Sequence, residues 1–300
     1  MSYHRPVMLT ECLEGLNIDE EGIYVDLTFG GGGHSQAIVE RLNGGRLFGF
    51  DQDADAAINA ERFPERSFTF VAANFRHLKK YLRLHGITTV NGILADLGVS
   101  SHQIDAAERG FSTRFDADLD MRMNQNASLS AKDVINEYDQ DALHRLFGIY
   151  GEVKNAKTLA TKVVSTRANH PLNKVSELIS LLRPLAPRGR EYKYYAQVFQ
   201  AIRIEVNEEM KALEEMLMQT AEVLKSGGRL VVMSYHSLED RMVKNFMNKG
   251  KLHGEVEKDL YGNMIRSMQQ LTRKPITATE EEITENGRAR SAKLRIAERI

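Results

Sequence analysis

The sequence predicts an α/β protein: a parallel sheet with helices on both faces, into which a helical domain is inserted. Segments typical of strands and of helices alternate over roughly the first hundred residues, as in sheets built from strand–helix–strand units. Between residues 103 and 190 no segment has the pattern of a buried strand, and that pattern returns only at Arg229–Ser234. We therefore expect one sheet domain whose chain is interrupted by a helical segment.

Four short strands are predicted in the first part of the sheet. Ile23–Leu27 is a β-branched run that ends at a glycine cluster. Ser35–Leu42 follows as a helix, with Ile38, Val39 and Leu42 on one face. The alternation continues through the strands Arg46–Phe50, Phe68–Val71 and Val90–Leu97 and the helices Ala54–Ala60 and Phe75–Leu84.

The predicted helical domain covers residues 103–195, and residues 1–102 and 196–300 form the sheet domain. Helical stretches are expected at Asp141–Tyr150 and Val175–Leu182. An acidic loop precedes them and contains Asp116, Asp118 and Asp120.

One long amphipathic helix, from about Ala196 to Leu224, is predicted to return the chain to the sheet. Lys225–Gly228 ends this helix in the prediction, because glycine is favoured just past a helix C-terminus. The last predicted elements are the helix Leu238–Met247 and the strands Gln269–Thr277 and Ser291–Ile296.

The composition excludes several classes of protein. A single cysteine among 300 residues, Cys12, excludes an intrachain disulfide and a zinc site with several cysteine ligands, and we expect no metal. No apolar run approaches the roughly 20 residues of a membrane span, so no membrane partner is expected. Met1–Pro6 lacks the apolar stretch of a signal peptide, which predicts a cytoplasmic protein. The net charge of −1, taken alone, disfavours a polyanionic partner.

Four consecutive glycines, Gly30–Gly33, lie between the first strand and the first helix. Glycine permits a sharp turn and a close approach to a ligand, and a helix N-terminus favours negative charge. Asp51 ends the second strand, where an acidic residue can bind both hydroxyls of a ribose. The dinucleotide pattern G-x-G-x-x-G would require glycine at Ser35 and fails. The loop therefore indicates an adenosyl ligand without choosing between a nicotinamide cofactor and S-adenosylmethionine, and a tight turn alone is the weaker alternative.

Further polar side chains follow the fourth strand. Asp96 and Ser100 lie at the edge where open α/β sheets bind ligands. Phe75 opens the helix after the third strand, and it either flanks an adenine ring or belongs to the core. Asp26 also has two interpretations, as a ligand to a cationic amine or as a helix-capping residue.

Eight motifs, taken in order, identify a specific resemblance. They are His4–Val7, Asp26–Phe29 with Gly32–Ser35, Asp96–Ser101, Glu108–Ser112, Leu119–Met123, Phe199–Arg203, Tyr235–Arg241 and Arg288–Ser291. Together they span nearly the whole chain, and they closely resemble the bacterial RsmH (MraW) family. Members of that family are S-adenosylmethionine-dependent methyltransferases that modify N4 of a cytosine in the decoding centre of 16S ribosomal RNA.

The resemblance implies a class I S-adenosylmethionine-dependent methyltransferase fold, a Rossmann-like sheet with an inserted helical substrate-recognition domain. It also implies that the cofactor contacts Gly32, Gly33, His34, Asp51, Phe75, Asp96 and Gln103. Departures from the family are small: Tyr235 stands where phenylalanine is usual, and His102 and Gly287 stand where proline is frequent. Thr28 replaces the glycine of most methyltransferases, a replacement typical of this family.

Methylation of a cytosine amine favours an acceptor for the amine proton, because the nitrogen lone pair is delocalised into the ring. Asp96 is our candidate acceptor, or it aligns the cofactor. His236 is a second candidate, with a structural alternative in which Glu239 or Asp240 binds its ring. Methylation at carbon 5 instead requires a cysteine nucleophile. Cys12 lies in an N-terminal helical stretch that we expect to be far from the strand ends, and it is interpreted as a small buried side chain.

Positive charge is concentrated in one part of the chain. Lys154–Lys193 contains nine basic residues and two acidic ones, a net charge of +7. Three tyrosines near its end, Tyr192, Tyr194 and Tyr195, add surfaces on which bases could stack. A second basic cluster near the C-terminus contains Arg288, Arg290, Lys293, Arg295 and Arg299.

We expect 16S ribosomal RNA, within the small ribosomal subunit, as the partner that neutralises this charge. The sequence does not fix the oligomeric state, and a homodimer stays open. Two other functions are the alternatives: a noncatalytic, cofactor-sensing RNA-binding factor in ribosome assembly, and an NAD-dependent dehydrogenase.

Overall fold

The structure, a computed structural model, describes residues 6–252, 258–262 and 266–300. His4 and Arg5 of the first motif lie outside these residues. The chain divides into two compact units, one formed by Met1–Gly98 with Met210–Ile300 and the other by Val99–Glu209. We call them the sheet unit and the helical unit. Their boundaries differ from the predicted ones by a few residues at the first crossing and by fourteen at the second.

A seven-stranded sheet forms the centre of the sheet unit. Its strands are β1 (Ile23–Asp26), β2 (Arg46–Asp51), β3 (Phe68–Ala72), β4 (Val90–Asp96), β5 (Leu224–Ser234), β6 (Met268–Gln270) and β7 (Lys293–Arg299). Their spatial order is β3-β2-β1-β4-β5-β7-β6. The strands β1 to β5 pair in parallel, and β7 pairs antiparallel with both β5 and β6. This mixed sheet confirms the predicted fold class.

Helices cover the sheet and make up the second unit. In chain order they are α1 (Leu9–Leu16), α2 (Gly33–Val39), α3 (Ala57–Ala60), α4 (Leu78–Leu84), α5 (Ser101–Asp105), α6 (Ala131–Glu137), α7 (Gln140–Ile149), α8 (Ala156–Arg167), α9 (Val175–Leu182), α10 (Glu191–Val206), α11 (Glu209–Val223), α12 (Ser237–Lys249) and α13 (Glu280–Glu285). The described residues contain no helix with the length and apolar character of a membrane span.

The predicted single helix from Ala196 to Leu224 is wrong, because α10 and α11 are separate helices. Glu208 between them has a φ of 48°, in the left-handed region that interrupts a helix. The side chain of Asn207 leaves the helical pattern and binds the backbone, donating to the carbonyl of Met121 at 2.8 Å and accepting from the amide of Met123 at 2.7 Å. The break falls at the second boundary between the units.

Two other elements near the end of the chain differ from the prediction. α11 ends at Val223, within one residue of the predicted end, but Lys225–Gly228 belongs to β5 and forms a bulge there, where the register against β4 jumps by several residues. The predicted strand Gln269–Thr277 shrinks to the three residues of β6. Pro275 has no amide hydrogen to donate to a ladder, and only an isolated bridge at Ile276 continues the pairing.

The five parallel strands place their carboxyl ends at one edge of the sheet. Apolar clusters pack on both faces, so the successive residues Tyr24 and Val25 of β1, which point to opposite faces, are both fully buried. Asp26, Asp51 and Asp96 are the last residues of the adjacent strands β1, β2 and β4. The sheet therefore brings three carboxylates from distant parts of the sequence to one edge.

The helical unit has its own apolar core, and two of the eight motifs contact each other within it. Arg109 is buried and donates from Nη2 to the carbonyls of Arg122 and Met123 at 3.0 and 3.1 Å. Gly110 has a φ of 70°, and a Cβ there would lie 2.4 Å from the carbonyl oxygen of Asp118. The motifs Glu108–Ser112 and Leu119–Met123 are thus packed against each other and hold the unit together.

Candidate active site

The glycine loop between β1 and α2 makes a turn that other residues would strain. Gly30 and Gly32 have φ angles of 48° and 73°. A Cβ on Gly33 would lie 2.4 Å from Cγ of Pro6. Asn59 donates to the carbonyl of Gly30, and this contact helps to fix the path of the loop. The loop therefore makes the sharp turn that its sequence predicts.

Asp51 connects the end of β2 to this loop. Its Oδ2 accepts a hydrogen bond from the amide of Gly30 at 2.8 Å, and its Oδ1 accepts one from the amide of Asp53 at 2.8 Å. Each carboxylate oxygen has a second lone pair, and the residue is only half-buried, so both oxygens can also accept hydroxyl donors. Burial raises the pKa of Asp51 to about 6, against the lowering effect of the two amide hydrogen bonds.

Asp96 lies at the centre of a hydrogen-bonded group at the end of β4. Its amide donates to Oγ1 of Thr28 at 2.7 Å, and its Oδ1 accepts a hydrogen bond from the hydroxyl of Tyr235 at 2.8 Å. Its Oδ2 lies 3.9 Å from Nδ1 of His34. Burial raises the pKa of Asp96 to about 6, although His34 and the Tyr235 hydrogen bond both lower it. The carboxylate is thus anchored on one oxygen and can act through the other.

Tyr235 can act only as a donor toward Asp96. Burial, followed by the charge of Asp96, raises the pKa of Tyr235 far above its ordinary range. The phenol therefore keeps its proton, and its hydrogen bond to Oδ1 favours the ionised form of Asp96.

His34 connects the N-terminal segment to Asp96. Its Nε2 lies 3.0 Å from the carbonyl oxygen of Val7, and a carbonyl can only accept, so Nε2 carries a proton. The opposite ring nitrogen, Nδ1, is the one that faces Asp96. The side chain of this predicted cofactor contact is therefore held between Val7 and Asp96.

The structure excludes one of the two interpretations of Asp26, and its role as a ligand to a cationic amine stays a prediction. The N-cap of α2 is Gly32, so the helix-capping interpretation is wrong. Asp26 is 1% exposed, and it accepts hydrogen bonds from the hydroxyl of Ser35 at 2.7 Å and from the amide of Thr28 at 3.1 Å. Its side chain ties the first turn of α2 to the end of β1.

The geometry of His236 favours its structural alternative. His236 is the N-cap of α12, and its Nδ1 accepts a hydrogen bond from the amide of Glu239 at 3.4 Å. Glu239 reaches back, and its Oε2 accepts from the amide of Tyr235 at 2.9 Å and from that of His236 at 3.4 Å. The second ring nitrogen lies 3.1 Å from Oε1 of Glu239. Both nitrogens of His236 thus face the buried Glu239 in a capping box.

The remaining predicted cofactor contacts lie in different units. Phe75 begins a 3₁₀ turn after β3 and is partly buried against the core of the sheet unit. Gln103 belongs to the helical unit, where it is 4% exposed. Its side-chain Oε1 accepts a hydrogen bond from the backbone amide of Ser100 at 3.0 Å. Its backbone amide donates to the Ser100 hydroxyl at 3.2 Å, which closes the capping box of α5.

Cys12 is fully buried in α1, as predicted, but the expectation that it lies far from the strand ends is wrong. Burial first, and then the charges of Asp96, Glu11 and Asp26, raise its pKa well above the ordinary range. The thiol therefore stays protonated, which is the unreactive form.

Sequence reasoning missed two members of the Asp96 group, Thr28 and Tyr235. The signal in the sequence is that both positions differ from related proteins, since Thr28 replaces a glycine and Tyr235 a phenylalanine. Their contacts with Asp96 cross 68 and 139 positions of sequence, so no local pattern shows them.

The C-terminal basic cluster is largely committed to contacts within the sheet unit. Nε of Arg295 donates to Asp240 at 2.7 Å, and Nζ of Lys293 lies 3.4 Å from the same carboxylate. Arg299 donates to the carbonyls of Ala221 and Ser267. These three residues support α12, β7 and their neighbours, which argues against a second RNA-binding cluster there.

A family profile, two named relatives and a solved structure each match this chain over nearly its whole length. The profile of the MraW methylase family matches residues 1–300. A protein of Cytophaga hutchinsonii named ribosomal RNA small subunit methyltransferase H is 60% identical over 297 residues, which cover 99% of each chain. A protein of the same name from Christiangramia forsetii is 53% identical over 301 aligned residues, covering 100% of this chain and 99% of its own. Among solved structures, an rRNA methylase of Streptococcus thermophilus matches at 12% identity over 100% of this chain and 99% of its own, with a TM-score of 0.42.

Proposed function

This chain belongs to the MraW methylase family, and we propose that it transfers a methyl group from S-adenosylmethionine to N4 of a cytosine in the decoding centre of 16S ribosomal RNA. Methyltransferase activity and the cofactor follow from the family, and the names of the relatives support small-subunit ribosomal RNA as the substrate. The choice of N4 and of the decoding centre is the narrower part of the proposal. The observation that carries it is the geometry of Asp96, whose side chain is 25% exposed, with one oxygen anchored by Tyr235 and the other free of hydrogen bonds from the described residues.

The residues at the sheet edge fit an adenosyl cofactor. The two oxygens of Asp51 are held in place by backbone amides and keep lone pairs for the two ribose hydroxyls. Gly32 and Gly33 carry no side chain that would fill the loop, and Phe75 opens the neighbouring turn. When bound, S-adenosylmethionine supplies an electrophilic methyl group on a sulfonium for in-line transfer.

Asp96 is the proposed acceptor of the amine proton. When the cytosine amine donates a hydrogen bond to Oδ2, electron density shifts onto N4 and raises its nucleophilicity. The same oxygen takes the proton as the methyl group is transferred. Tyr235 holds Oδ1 and keeps the side chain in one orientation. A base whose pKa is near 6 is ionised at neutral pH and still accepts a proton effectively.

Cys12 and His236 contribute differently. The protonated, buried thiol of Cys12 does not supply the nucleophile that carbon-5 methylation requires, which supports an amine as the target. His236 caps α12 and positions the segment that carries Tyr235, so we assign it a positioning role.

Transfer of tritium from labelled S-adenosylmethionine into 30S subunits tests the proposal. We expect N4-methylcytidine in digests of the labelled RNA, and a loss of about 100-fold or more in rate for Asp96→Asn. The variant should still bind S-adenosylhomocysteine in calorimetry. Labelled 5-methylcytidine, or full activity of Asp96→Asn, contradicts the assignment of atom and residue. No incorporation by the unmodified protein leaves the noncatalytic RNA-binding factor, whereas membership in a methylase family removes the NAD-dependent dehydrogenase.

The proposal also includes a cytoplasmic location and action on 16S ribosomal RNA within the small ribosomal subunit. Comparing incorporation into free 16S RNA and into 30S subunits tests the second point. A homodimer stays a prediction, and light scattering of the purified protein tests it.

A further inference from the structure

Most of the basic side chains in Lys154–Lys193 have no carboxylate partner in the part of the chain that the structure describes. Two of the nine basic side chains are committed: Arg167 donates to the carbonyls of Ile135 and Tyr138, and Lys174 pairs with Asp118 at 2.8 Å. The other seven are exposed, and none contacts a carboxylate of the described residues. They are Lys154, Lys157, Lys162, Arg183, Arg188, Arg190 and Lys193.

Six of these seven side chains belong to segments that are joined directly. Nδ2 of Asn155 donates to the carbonyl of Leu185 at 3.1 Å, which connects the start of α8 to the turn after α9. Nε2 of Gln197 donates to the carbonyl of Glu152 at 3.3 Å, which connects α10 to the same start. The start of α8 therefore lies beside both the 183–190 turn and α10. We call this surface the basic corner and define it by Lys154, Lys157, Arg183, Arg188, Arg190, Lys193 and Tyr192.

Acidic residues offset little of this charge. Glu191 is half-buried, and its carboxylate accepts a hydrogen bond from the amide of Gly189 at 2.9 Å. Glu152 is the other carboxylate in these segments, and it is exposed with a contact elsewhere. Six cations against these two carboxylates leave a strongly positive surface.

One exposed aromatic residue of the basic corner, Tyr192, lies in the sequence between two of these cations, Arg190 and Lys193. Of the three tyrosines predicted to offer stacking surfaces, Tyr194 and Tyr195 are only 4% and 7% exposed and belong to the core, so the prediction is wrong for both. Tyr192 is 84% exposed. The ring of Tyr195 supports it edge-on, with 6.3 Å between centroids and 75° between planes. The ring of Tyr192 is thus packed against Tyr195 and accessible to solvent.

We propose that the basic corner binds the phosphates of a single-stranded stretch of ribosomal RNA, and that Tyr192 stacks on one of its unpaired bases. The proposal rests on the proposed function, which makes RNA the substrate. Unpaired cations recognise a polyanion, and a single exposed ring among them fits a base that is not already stacked in a duplex. The basic corner belongs to the helical unit and contains none of the residues assigned to methyl transfer, so we expect it to contribute affinity and not chemistry.

The test compares two variants that lose the same charge. Lys154→Gln/Lys157→Gln/Arg190→Gln removes three cations of the basic corner. Arg66→Gln/Arg83→Gln/Lys225→Gln removes three exposed cations of the sheet unit that have no carboxylate partner among the described residues. Fluorescence anisotropy measures binding of a labelled single-stranded 12-nucleotide RNA over a range of KCl concentrations.

The basic-corner variant should bind about 10-fold or more weakly at 0.1 M KCl, and its slope of log Kd against log salt should fall by about 2, since each phosphate contact to a single strand contributes about 0.7. The sheet-unit variant should change neither quantity. Tyr192→Ala should weaken binding by about 5- to 150-fold, while Tyr192→Phe keeps the ring and the affinity.

An unchanged Kd for the basic-corner variant, or equal losses in both triple variants, overturns the proposal. The proposal also fails if the basic-corner variant loses binding to phosphatidylserine vesicles but keeps its RNA affinity, because that result would assign the surface to a membrane. Methyl incorporation into 30S subunits separates this failure from that of the proposed function. If the unmodified protein methylates 30S subunits normally and the basic-corner variant keeps its RNA affinity, only the basic-corner proposal fails. If the unmodified protein incorporates no methyl group but the basic-corner variant binds RNA more weakly, only the methyl-transfer assignment fails.

Discussion

The hydroxyl of Tyr235 donates a 2.8 Å hydrogen bond to Oδ1 of Asp96. A phenylalanine, the residue more usual at this point of the motif, could not make it. The hydrogen bond lowers the pKa of Asp96, which burial raises, and it leaves Oδ2 as the oxygen that faces His34. We therefore expect Tyr235 to be a positioning residue that acts through Asp96.

Tyr235→Phe should move the acid limb of the activity profile to higher pH. Without the phenol, burial dominates and the pKa of Asp96 rises above about 6, by about one unit for a lost hydrogen bond to a charged group. Because Asp96 must be ionised to accept a proton, kcat/KM at pH 6 should fall several-fold more than at pH 8.5. The measurement is kcat/KM for methyl transfer from pH 5.5 to 9, and a profile that coincides with the unmodified protein's contradicts the assignment.

Asp51→Ala should weaken cofactor binding by about 10- to 100-fold, the usual effect of losing hydrogen bonds to a charged acceptor. The substitution removes the proposed ribose ligand and also the acceptor for the amide of Gly30. Isothermal calorimetry with S-adenosylhomocysteine measures the effect, with Glu65→Gln as an exposed control. Equal affinities of Asp51→Ala and the unmodified protein would remove the ribose assignment.

Asp96→Asn should stabilise the fold at neutral pH while abolishing activity. The pKa of Asp96 is about 6 in the folded chain and about 3.9 in an unfolded one, so the folded state binds more protons between these values. The free energy of unfolding contributed by this group therefore falls as the pH rises from about 4 to 6. Asparagine carries no charge, so the variant should gain roughly 2 kcal/mol over the unmodified protein at pH 7 and progressively less toward pH 4.5.

Urea denaturation of both proteins at several pH values measures this difference. Using the difference cancels the contribution of carboxylates such as Asp133, whose lowered pKa changes stability in the opposite direction. A gain that does not depend on pH would show that Asp96 is not the titrating group.

Substitutions of His236 separate a capping role from a catalytic one. His236→Ala should lower the free energy of unfolding by about 1 kcal/mol, because α12 loses its cap. Asparagine is a good cap, so His236→Asn should recover most of the Tm and the methyl transfer. If asparagine restores the Tm but kcat stays reduced 100-fold, the imidazole has a chemical role after all.

Local patterns predicted the features whose causes are local. The glycine loop, the strands before it and after it, and Asp51 at the end of β2 follow from residue type and spacing within a few positions. The break between α10 and α11 was missed because apolar periodicity continues through it, and it depends on the contacts of Asn207 with Met121 and Met123. The basic residues of β7 looked available for RNA because Asp240, which pairs with two of them, lies more than fifty positions away.

Asp26, Asp51 and Asp96 end three adjacent strands, and among the described residues none of them is paired with a lysine or an arginine. Burial disfavours their negative charge, so this edge gains most from a ligand that brings its own positive charge. A methyl donor carries that charge on its sulfonium, and the thioether left after transfer does not. We therefore expect the same three carboxylates to favour the charged methyl donor over the neutral product, and so to favour turnover over product inhibition.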